Sequence, residues 1–155
     1  MAAVATGIPA PQTSAVLWLQ GSAYADLGNA LSVSFLGQSP YTLEGWFKFN
    51  GLCPDSILLQ KAGEFTLGTQ GQAVYAQRNG QVAPLVTSNV LNTADWFHVA
   101  VTFDGVTLSI YINGLLNVST ASVGPGTGNQ GQDFFLGTRV PFQVPETIAV
   151  GNRGM

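Results

Sequence analysis

The sequence predicts an all-β fold, a two-sheet antiparallel sandwich with little or no helix. Short segments in which apolar and polar residues alternate recur along the chain, separated by Gly, Asn, Asp and Pro. Their spacing is close to the about 8 to 12 residues that separate strands in β-sandwiches. The 155 residues include 19 Gly and 8 Pro, a content typical of a chain with many turns. No long stretch keeps the apolar spacing of a helix.

Two turns predict how the central strands pair. Asn113-Gly114 separates two alternating segments and favours a type I′ hairpin, because both residues tolerate a positive φ. Asp104-Gly105 joins the preceding pair of segments and is predicted to turn in the same way. Residues 96–121 are therefore predicted to form a three-stranded antiparallel meander. All predicted strands are residues 15–20, 30–34, 41–50, 56–61, 65–68, 73–78, 85–88, 96–103, 107–112, 115–120 and 133–138.

The length and the even composition predict one domain. Residues 1–14 are small and include Pro9 and Pro11, which indicates a flexible lead-in to a single domain at residues 15–155. Residues 124–132, GPGTGNQGQ, are typical of a Gly-rich surface loop. The single cysteine excludes an internal disulfide and a thiolate metal cluster.

The two-residue period of a strand gives each central strand an apolar face and a mixed face. Leu43 and Phe47 share one phase, as do Val99 and Val101, and these apolar faces are predicted to form the core. The opposite faces combine aromatic and polar side chains, and they form either a second packed layer or a ligand-binding surface. The candidate ligand-binding residues are Trp46, Trp96, His98 and Tyr111, with Asn129 and Gln130 of the Gly-rich loop.

Charged residues make up only 8% of the chain, and five Lys or Arg against eight Asp or Glu give a net charge of -3. A basic nucleic-acid-binding surface is therefore not expected. No apolar run is long enough to predict a membrane span, and the first residues lack the basic start and apolar block of a signal peptide. A neutral surface of Gln, Asn, Ser and Thr suits an uncharged ligand, and it also suits contact with another protein.

The acids are too few and too scattered to predict a hydrolytic site. Glycosidases need two carboxylates that face one bond, about 5–5.5 Å apart in retaining enzymes. Glu44 stands alone in its strand, and Asp55, Glu64, Asp95 and Asp104 fall at turns. A Ser-His-Asp site is also disfavoured, because the G-x-S-x-G element is absent. We therefore expect a protein without catalytic activity.

Four segments together resemble the laminin-G-like domains of the concanavalin-A-like lectin/glucanase family: YTLEGWFKFNG, ILLQKAGEFTLG, WFHVAVTFDGVTLSIYINGLL and FFLGTR. The shared elements are an E-x-W strand, a W-x-H-V-A strand that ends in Asp-Gly, and a Y-x-N-G hairpin. In this sequence they are Glu44, Trp46, Trp96, His98, Val99, Ala100, Asp104, Gly105, Tyr111, Asn113 and Gly114. The resemblance covers residues 15–139 and implies that the two sheets form a jelly roll.

The end of the chain departs from this family. Its members usually finish with a Gly-x-Ile-Asp-Glu-like strand beside the first strand, whereas this chain ends in PFQVPETIAVGNRGM. The closing strand is thus atypical or missing, with residues 147–150 as a short substitute. Either the closure is unusual, or the domain is cut from a longer chain, or a partner supplies the strand. An open sheet edge would favour self-association.

The resemblance implies a recognition module that binds a carbohydrate or a protein ligand through loops at one rim. The loops that would carry specificity are residues 124–132 and the turns near 50–55 and 79–84. The alternative is a structural subunit or decoration domain of a self-associating assembly, and a glycoside hydrolase is the third reading. Relatives are usually extracellular, which implies a location outside the cell or on a cell or particle surface.

Many relatives also hold a calcium ion at a loop rim through oxygen ligands. The resemblance therefore implies calcium as the one cofactor to consider. The candidate ligands in this sequence are Asp133, Gln132 and Asn129, or else Asp26 with Asn29.

Overall fold

The computed structural model describes residues 17, 19, 23–29, 35–49, 55–92, 95–121, 124 and 132–137. Within these ranges the protein has ten β-strands and no helix, and thus no helix that could span a membrane. The strands form two antiparallel sheets around a common core. The predicted all-β sandwich is confirmed, and its arrangement is consistent with a jelly roll.

The strands are β1 (Tyr24–Asp26), β2 (Tyr41–Phe47), β3 (Ser56–Lys61), β4 (Phe65–Gln70), β5 (Ala73–Arg78), β6 (Leu85–Val86), β7 (Phe97–Phe103), β8 (Leu108–Ile112), β9 (Leu115–Thr120) and β10 (Phe134–Gly137). Six of them form one sheet in the order β1-β10-β3-β4-β5-β6. The other four form the second sheet in the order β2-β7-β8-β9.

The predicted meander is present as β7, β8 and β9. Ile112 and Leu115 pair across its second turn, where Asn113 has a φ of 51° and Gly114 a φ of 80°. Two consecutive positive φ angles are what a type I′ turn requires, so the prediction for Asn113-Gly114 is confirmed.

The first turn of the meander differs from the predicted one by a shift of one residue. The backbone N–H of Asp104 donates to the Thr107 carbonyl at 3.2 Å, so Gly105 and Val106 are the central residues. Gly105 has a φ of 103° but Asp104 does not have a positive φ, so these two residues do not form a type I′ turn. The Asp104 carboxylate accepts from the N–H groups of Thr107 at 2.7 Å and Val106 at 2.8 Å. The prediction that Asp104-Gly105 turns like Asn113-Gly114 is wrong, because the aspartate caps this turn from its flank.

The core lies between the apolar faces that the two-residue period predicts. The four-stranded sheet contributes fully buried side chains such as Val99, Val101 and Ile110, and the six-stranded sheet contributes Leu58 and Val74. Each large side chain buried in this way stabilises the fold by about 1.5–3 kcal/mol. One end of the core is aromatic, with ring centroids 5.1 to 6.0 Å apart among Phe35, Tyr41, Phe65, Phe103 and Phe134.

The remaining differences lie at strand ends and sheet edges. Strand β1 was not predicted, β2 ends at Phe47 rather than at residue 50, and β6 has two residues instead of four. Of the predicted strand 15–20 only Leu17 and Leu19 are described, and neither belongs to a strand. Outside the described residues lie the lead-in 1–14, the predicted strand 30–34, the substitute closing strand 147–150 and residues 125–131 of the Gly-rich loop.

Candidate functional site

A buried arginine lies at one end of the sandwich, where several loops meet. Arg78, the last residue of β5, is 0% exposed. Its guanidinium donates to the backbone carbonyls of Gly124 at 2.8 Å, Phe35 at 3.0 Å and Gly37. The guanidinium carbon also lies 4.1 Å from the centre of the Phe103 ring. One side chain thereby holds two segments that are remote in sequence.

Two more charged side chains are buried at the same end. Nζ of Lys61 lies 3.3 Å from Oε1 of Glu64, and Oε2 of Glu64 accepts from the N–H of Phe35 at 2.8 Å. Their exposed fractions are 2% for Lys61 and 1% for Glu64. Because a buried charge is costly unless it is paired, these contacts explain how the sandwich accommodates them.

Burial also changes the acidity of the groups around Arg78. It raises the pKa of Tyr41 to about 12, an increase that the positive charge of Arg78 partly offsets. Burial lowers the pKa of Arg78, and Tyr41 opposes that change. The guanidinium nevertheless keeps its charge at neutral pH, since an arginine starts far above this range.

A groove of about 300 Å³ opens between the β3–β4 turn and the beginning of the β5–β6 loop. This volume is at the small end of the range for ligand pockets. Its lining combines the buried Glu64 and Arg78 with neutral groups, and consists of Gly63, Glu64, Phe65, Thr66, Gln77, Arg78, Asn79, Gly80 and Gln81. We refer to it as the rim groove.

Several polar atoms of the rim groove remain available to a ligand. Gln81 Oε1 accepts from the backbone N–H of Arg78 at 2.6 Å, and the Asn79 amide donates to the Gly63 carbonyl, which leaves Gln81 Nε2 and Asn79 Oδ1. The Thr66 hydroxyl accepts a weak hydrogen bond from Gln60 at 3.4 Å and can still donate. Among the described residues nothing hydrogen-bonds the side-chain amide of Gln77.

The predicted aromatic residues lie on the outer face of the four-stranded sheet. Trp46 and His98 are register partners on β2 and β7, and their ring centroids are 5.2 Å apart. Tyr111 pairs with Ala100 one strand further, so three of the predicted residues share this face. Trp96 directly precedes β7 and is half-buried. Asn129 and Gln130 lie outside the described residues.

Contacts within the sheet hold the backbone and Nε2 of His98, whereas its buried Nδ1 has no hydrogen-bond partner among the described residues. Its backbone N–H donates to Oδ1 of Asn113 at 2.9 Å, and its carbonyl accepts from the Asn113 N–H at 2.9 Å. Its Nε2 lies 3.6 Å from Oε2 of Glu44, and its side chain is only 12% exposed. Together with the contact to Trp46, these bonds connect the E-x-W, W-x-H-V-A and Y-x-N-G motifs. They therefore give His98 a structural role.

The predicted rim loops are divided between the two ends of the sandwich. The Arg78–Gly124 hydrogen bond brings Gly124 to the end that holds residues 79–84. Asp55 lies at the opposite end, where its Oδ1 accepts from the N–H of Gly71 at 3.0 Å. The prediction of one shared rim is therefore wrong for Asp55, because antiparallel β3, β4 and β5 carry residues 55 and 79 to opposite ends. Residues 50–54 lie outside the described residues.

The two alternative sets of calcium ligands meet at one junction. The N–H of Leu27 donates to the Phe134 carbonyl at 2.8 Å, and Asp26 and Asp133 each directly precede one member of this pair. Asp26 Oδ1 accepts from the Gly28 N–H at 2.8 Å. No group of three or more His, Cys, Asp or Glu side chains occurs among the described residues, and Asn129 is outside them. Calcium binding stays a prediction.

The buried charges at the rim were not among the predicted site residues, although the strand pattern contains a signal for them. Arg78 is in phase with the core residues Val74 and Ala76, and Lys61 is in phase with Leu59. A charged residue in the apolar phase of a strand indicates a buried, partnered charge. The sequence does not indicate which loop carbonyls such an arginine binds.

A laminin-G family model, described as the concanavalin A-like lectin/glucanases superfamily, matches residues 19–146. The chain belongs to this superfamily. The resemblance carried by the E-x-W, W-x-H-V-A and Y-x-N-G motifs is thereby confirmed. A comparison of this superfamily member with curated proteins gave no match.

Solved structures of other proteins share the fold. A protein from Bacteroides ovatus ATCC 8483 assigned a carbohydrate-binding role matches with a TM-score of 0.63 at 18% identity, over 83% of this chain and 38% of that one. Domains LG4-5 of the mouse laminin alpha1 chain match with a TM-score of 0.57 at 13% identity, over 86% and 38%. The binding domain of Paraclostridial Mosquitocidal Protein 1 matches with a TM-score of 0.55 at 12% identity, over 86% and 39%. The chain thus spans about two fifths of each of these proteins, and at such identities the likeness concerns the fold alone.

Proposed function

We propose that this superfamily member is a non-catalytic recognition module and that its rim groove binds a neutral, hydroxyl-rich ligand, a carbohydrate. The observation that carries the proposal is a groove whose charged groups are already neutralised inside the protein. What the groove offers to a ligand is a set of uncharged amide and hydroxyl groups.

The charge distribution favours a neutral ligand over an ionic one. The Arg78 guanidinium binds three carbonyls, and Glu64 is paired with Lys61 and with the N–H of Phe35. An anionic ligand would thus find no free cation among the groove residues, and a cationic one no free carboxylate. Sugar hydroxyls donate and accept hydrogen bonds at once, as the amides of Gln77 and Asn79 do.

The same contacts make the rim rigid before a ligand arrives. Arg78 fixes two segments, residues 35–37 and Gly124, relative to the end of β5. A preorganised site loses less conformational freedom on binding than a mobile loop would. A rigid sandwich that carries polar loop residues is therefore a favourable scaffold for recognition.

The contacts of the acidic side chains support a non-catalytic role. Six acidic side chains in the described part of the chain contact another group of the protein: Asp26, Glu44, Asp55, Glu64, Asp95 and Asp104. Asp133 also takes part in an interaction within the protein. Glycosidic bond cleavage needs one acid that donates a proton and a second carboxylate opposite it. The superfamily includes glucanases, but acids used to cap turns and pair with bases do not supply such a pair.

The fold relationship to laminin and to binding domains supports a location outside the cell or on a cell or particle surface. The low charge is compatible with that location. We include it in the proposal together with a ligand that such surfaces carry, a neutral glycan.

A glycan array followed by titration calorimetry tests the function. We expect binding of neutral glycans, and a loss of about tenfold in affinity for Gln77→Ala, which removes about 1.4 kcal/mol of hydrogen bonding. Gln70→Ala is the matched control, because Gln70 is an exposed glutamine at the opposite end of the neighbouring strand. Absence of any glycan signal at millimolar sugar, or equal losses in the two variants, would contradict the proposal.

A further inference from the structure

We propose that the carbohydrate site extends from the rim groove onto the outer face of the six-stranded sheet, where the ring of Tyr75 stacks on a second sugar unit. This extension rests on the proposed function, because it assigns to the groove one end of a longer ligand. The ligand is then a neutral oligosaccharide of at least two sugar units. Tyr75 lies on β5, is half-buried and does not line the groove itself.

The outward-facing residues of β3, β4 and β5 form one continuous surface. In each of these strands the residues of the apolar phase are buried in the core, and the residues between them point outward. Strand pairing arranges the outward residues in two rows. The first row consists of Gln60, Thr66 and Gln77, which are register partners. The second row contains the register partners Gly68 and Tyr75.

The first row already belongs in part to the rim groove, since Thr66 and Gln77 line it. Gln60 continues this row, because its side-chain amide donates to the Thr66 hydroxyl at 3.4 Å. The second row lies two residues further along each strand, a step of about 7 Å. A sugar chain that is held in the groove therefore reaches the second row with its next unit.

Gly68 makes room for the ring of Tyr75. A Cβ atom at Gly68 would lie 2.7 Å from Cε1 and Cζ of Tyr75, so the ring occupies the place that any larger side chain at this position would need. The ring thus lies over the backbone of β4 with one side against the glycine. Because the side chain is only half-buried there, the ring keeps surface free for a ligand.

The two rows together match the chemistry of a sugar chain. The C–H face of a sugar ring packs on an aromatic ring, while its hydroxyls need groups that donate and accept hydrogen bonds. Tyr75 supplies the aromatic surface, and the amides of Gln60 and Gln77 lie in the adjacent row. A purely apolar ligand would leave these amides without partners.

Both rows are also uncharged, which matches a ligand that is neutral along its whole length. Burial raises the pKa of Tyr75, and the Asp55 carboxylate adds to the increase, so the phenol is neutral at neutral pH. The other members of the rows are two glutamines, a threonine and a glycine.

The test compares monosaccharides with their disaccharides: glucose with cellobiose, mannose with mannobiose, and xylose with xylobiose. Titrations followed by NMR measure the affinities. We expect at least one disaccharide to bind the unmodified chain about tenfold more tightly than its monosaccharide. Tyr75→Leu should lose this gain and Tyr75→Phe should restore it, because leucine covers Gly68 without an aromatic ring. Tyr24→Leu is the matched control, since Tyr24 is an exposed tyrosine on β1 of the same sheet, and it should keep the gain.

A purely structural role of Tyr75 would change stability and leave the ratio of the two affinities unchanged. The extended site is overturned if none of these sugars binds, if the ratio is near one in the unmodified chain, or if Tyr75→Leu keeps the gain. Circular dichroism checks that each variant is folded. If Tyr75→Leu does not fold, nuclear Overhauser effects between the Tyr75 ring and the disaccharide C–H protons are measured in the unmodified chain, and their absence overturns the site. The glycan array tests the groove separately, so it distinguishes a failed extension from a failed function.

Discussion

The side chain of Arg78 is buried with the core, but its hydrogen bonds are made to loop residues at the rim. It is fully buried, yet its guanidinium reaches three carbonyls and one aromatic ring instead of water. A hydrophobic side chain of similar length would fill the space and leave the carbonyls of Phe35 and Gly124 without this donor. The residue therefore links the packing of the core to the shape of the rim groove.

This dual role predicts a large effect of Arg78→Met. The variant keeps much of the volume but leaves buried carbonyls unsatisfied and Tyr41 without its neighbouring charge. We expect the free energy of unfolding to fall by about 3 kcal/mol, measured by urea denaturation. Lys48→Met, a half-buried residue just after β2, is the control and should change stability by less than about 1 kcal/mol. A loss in Arg78→Met no larger than in Lys48→Met would show that the three hydrogen bonds contribute little.

At the scale of elements, the turn between β8 and β9 has two separable functions. Asn113 takes a positive φ of 51°, which few residues other than glycine tolerate. Its side-chain oxygen also accepts from the N–H of His98 at 2.9 Å and so ties the turn to β7. The Y-x-N-G motif therefore encodes a turn and a cross-strand hydrogen bond in one residue.

Substitutions at Asn113 separate the two functions. Asn113→Gly retains the backbone geometry and loses the hydrogen bond to His98, so we expect a loss of about 1 kcal/mol. Asn113→Ala loses the hydrogen bond and also forces an alanine into positive φ, so we expect about 2 kcal/mol or more. Thermal and urea unfolding give both values. Equal losses in the two variants would mean that the backbone conformation costs alanine nothing here.

Local and non-local information explain which elements the sequence predicts. Asn113-Gly114 is predicted correctly because its turn chemistry is contained in two residues, and β7 and β8 because their alternation is long. β1 is missed because its three residues carry no period, and its pairing depends on β10, more than 100 residues later. The turn after Phe103 is misplaced because the Asp104 side chain caps it, and spacing alone does not distinguish a cap from a central residue.

The candidate site was predictable only in part for the same reason. The two-residue period places Trp46 and His98 on the outer face, but not their mutual contact or the bond to Asn113. The loop at 79–84 is correctly expected at a rim, whereas the groove depends on Arg78, which binds residues more than 40 positions away. Contacts of this length are set by the topology of the sheets and not by any local pattern.

For the molecule as a whole, the charged side chains are few, and several of those present are not on the surface. Three of the charged residues, Lys61, Glu64 and Arg78, are buried, so the surface is more neutral than the composition suggests. The remaining described acids are held in turns and pairs. Such a surface favours uncharged ligands at the rim groove.

Asp26 and Asp133 each directly precede a residue of the Leu27–Phe134 backbone hydrogen bond, and we propose calcium as a ligand of their carboxylates. They lie at the junction of β1 and β10, where strand pairing ends, and calcium there would join the outermost strand of the six-stranded sheet to its neighbour. Calcium takes six to eight oxygens, so the amides of Asn29 and Gln132, backbone carbonyls and water would have to complete the set. We therefore expect a site of the weak, extracellular kind, with an affinity of about 0.1–1 mM.

Binding to the folded state alone raises stability, so calcium at about 1 mM should raise the unfolding temperature by a few degrees and EGTA should reverse the change. Asp133→Asn and Asp26→Asn should each abolish the difference between calcium and EGTA, whatever they do to stability itself. Asp95→Asn is the matched control, because Asp95 bonds Asn92 and not the β1–β10 junction, and it should keep the full calcium effect. The measurement is scanning fluorimetry, which gives the unfolding temperatures of the unmodified chain and the three variants in calcium, magnesium and EGTA. No calcium effect in the unmodified chain, or an undiminished effect in both junction variants, would exclude calcium binding at the β1–β10 junction.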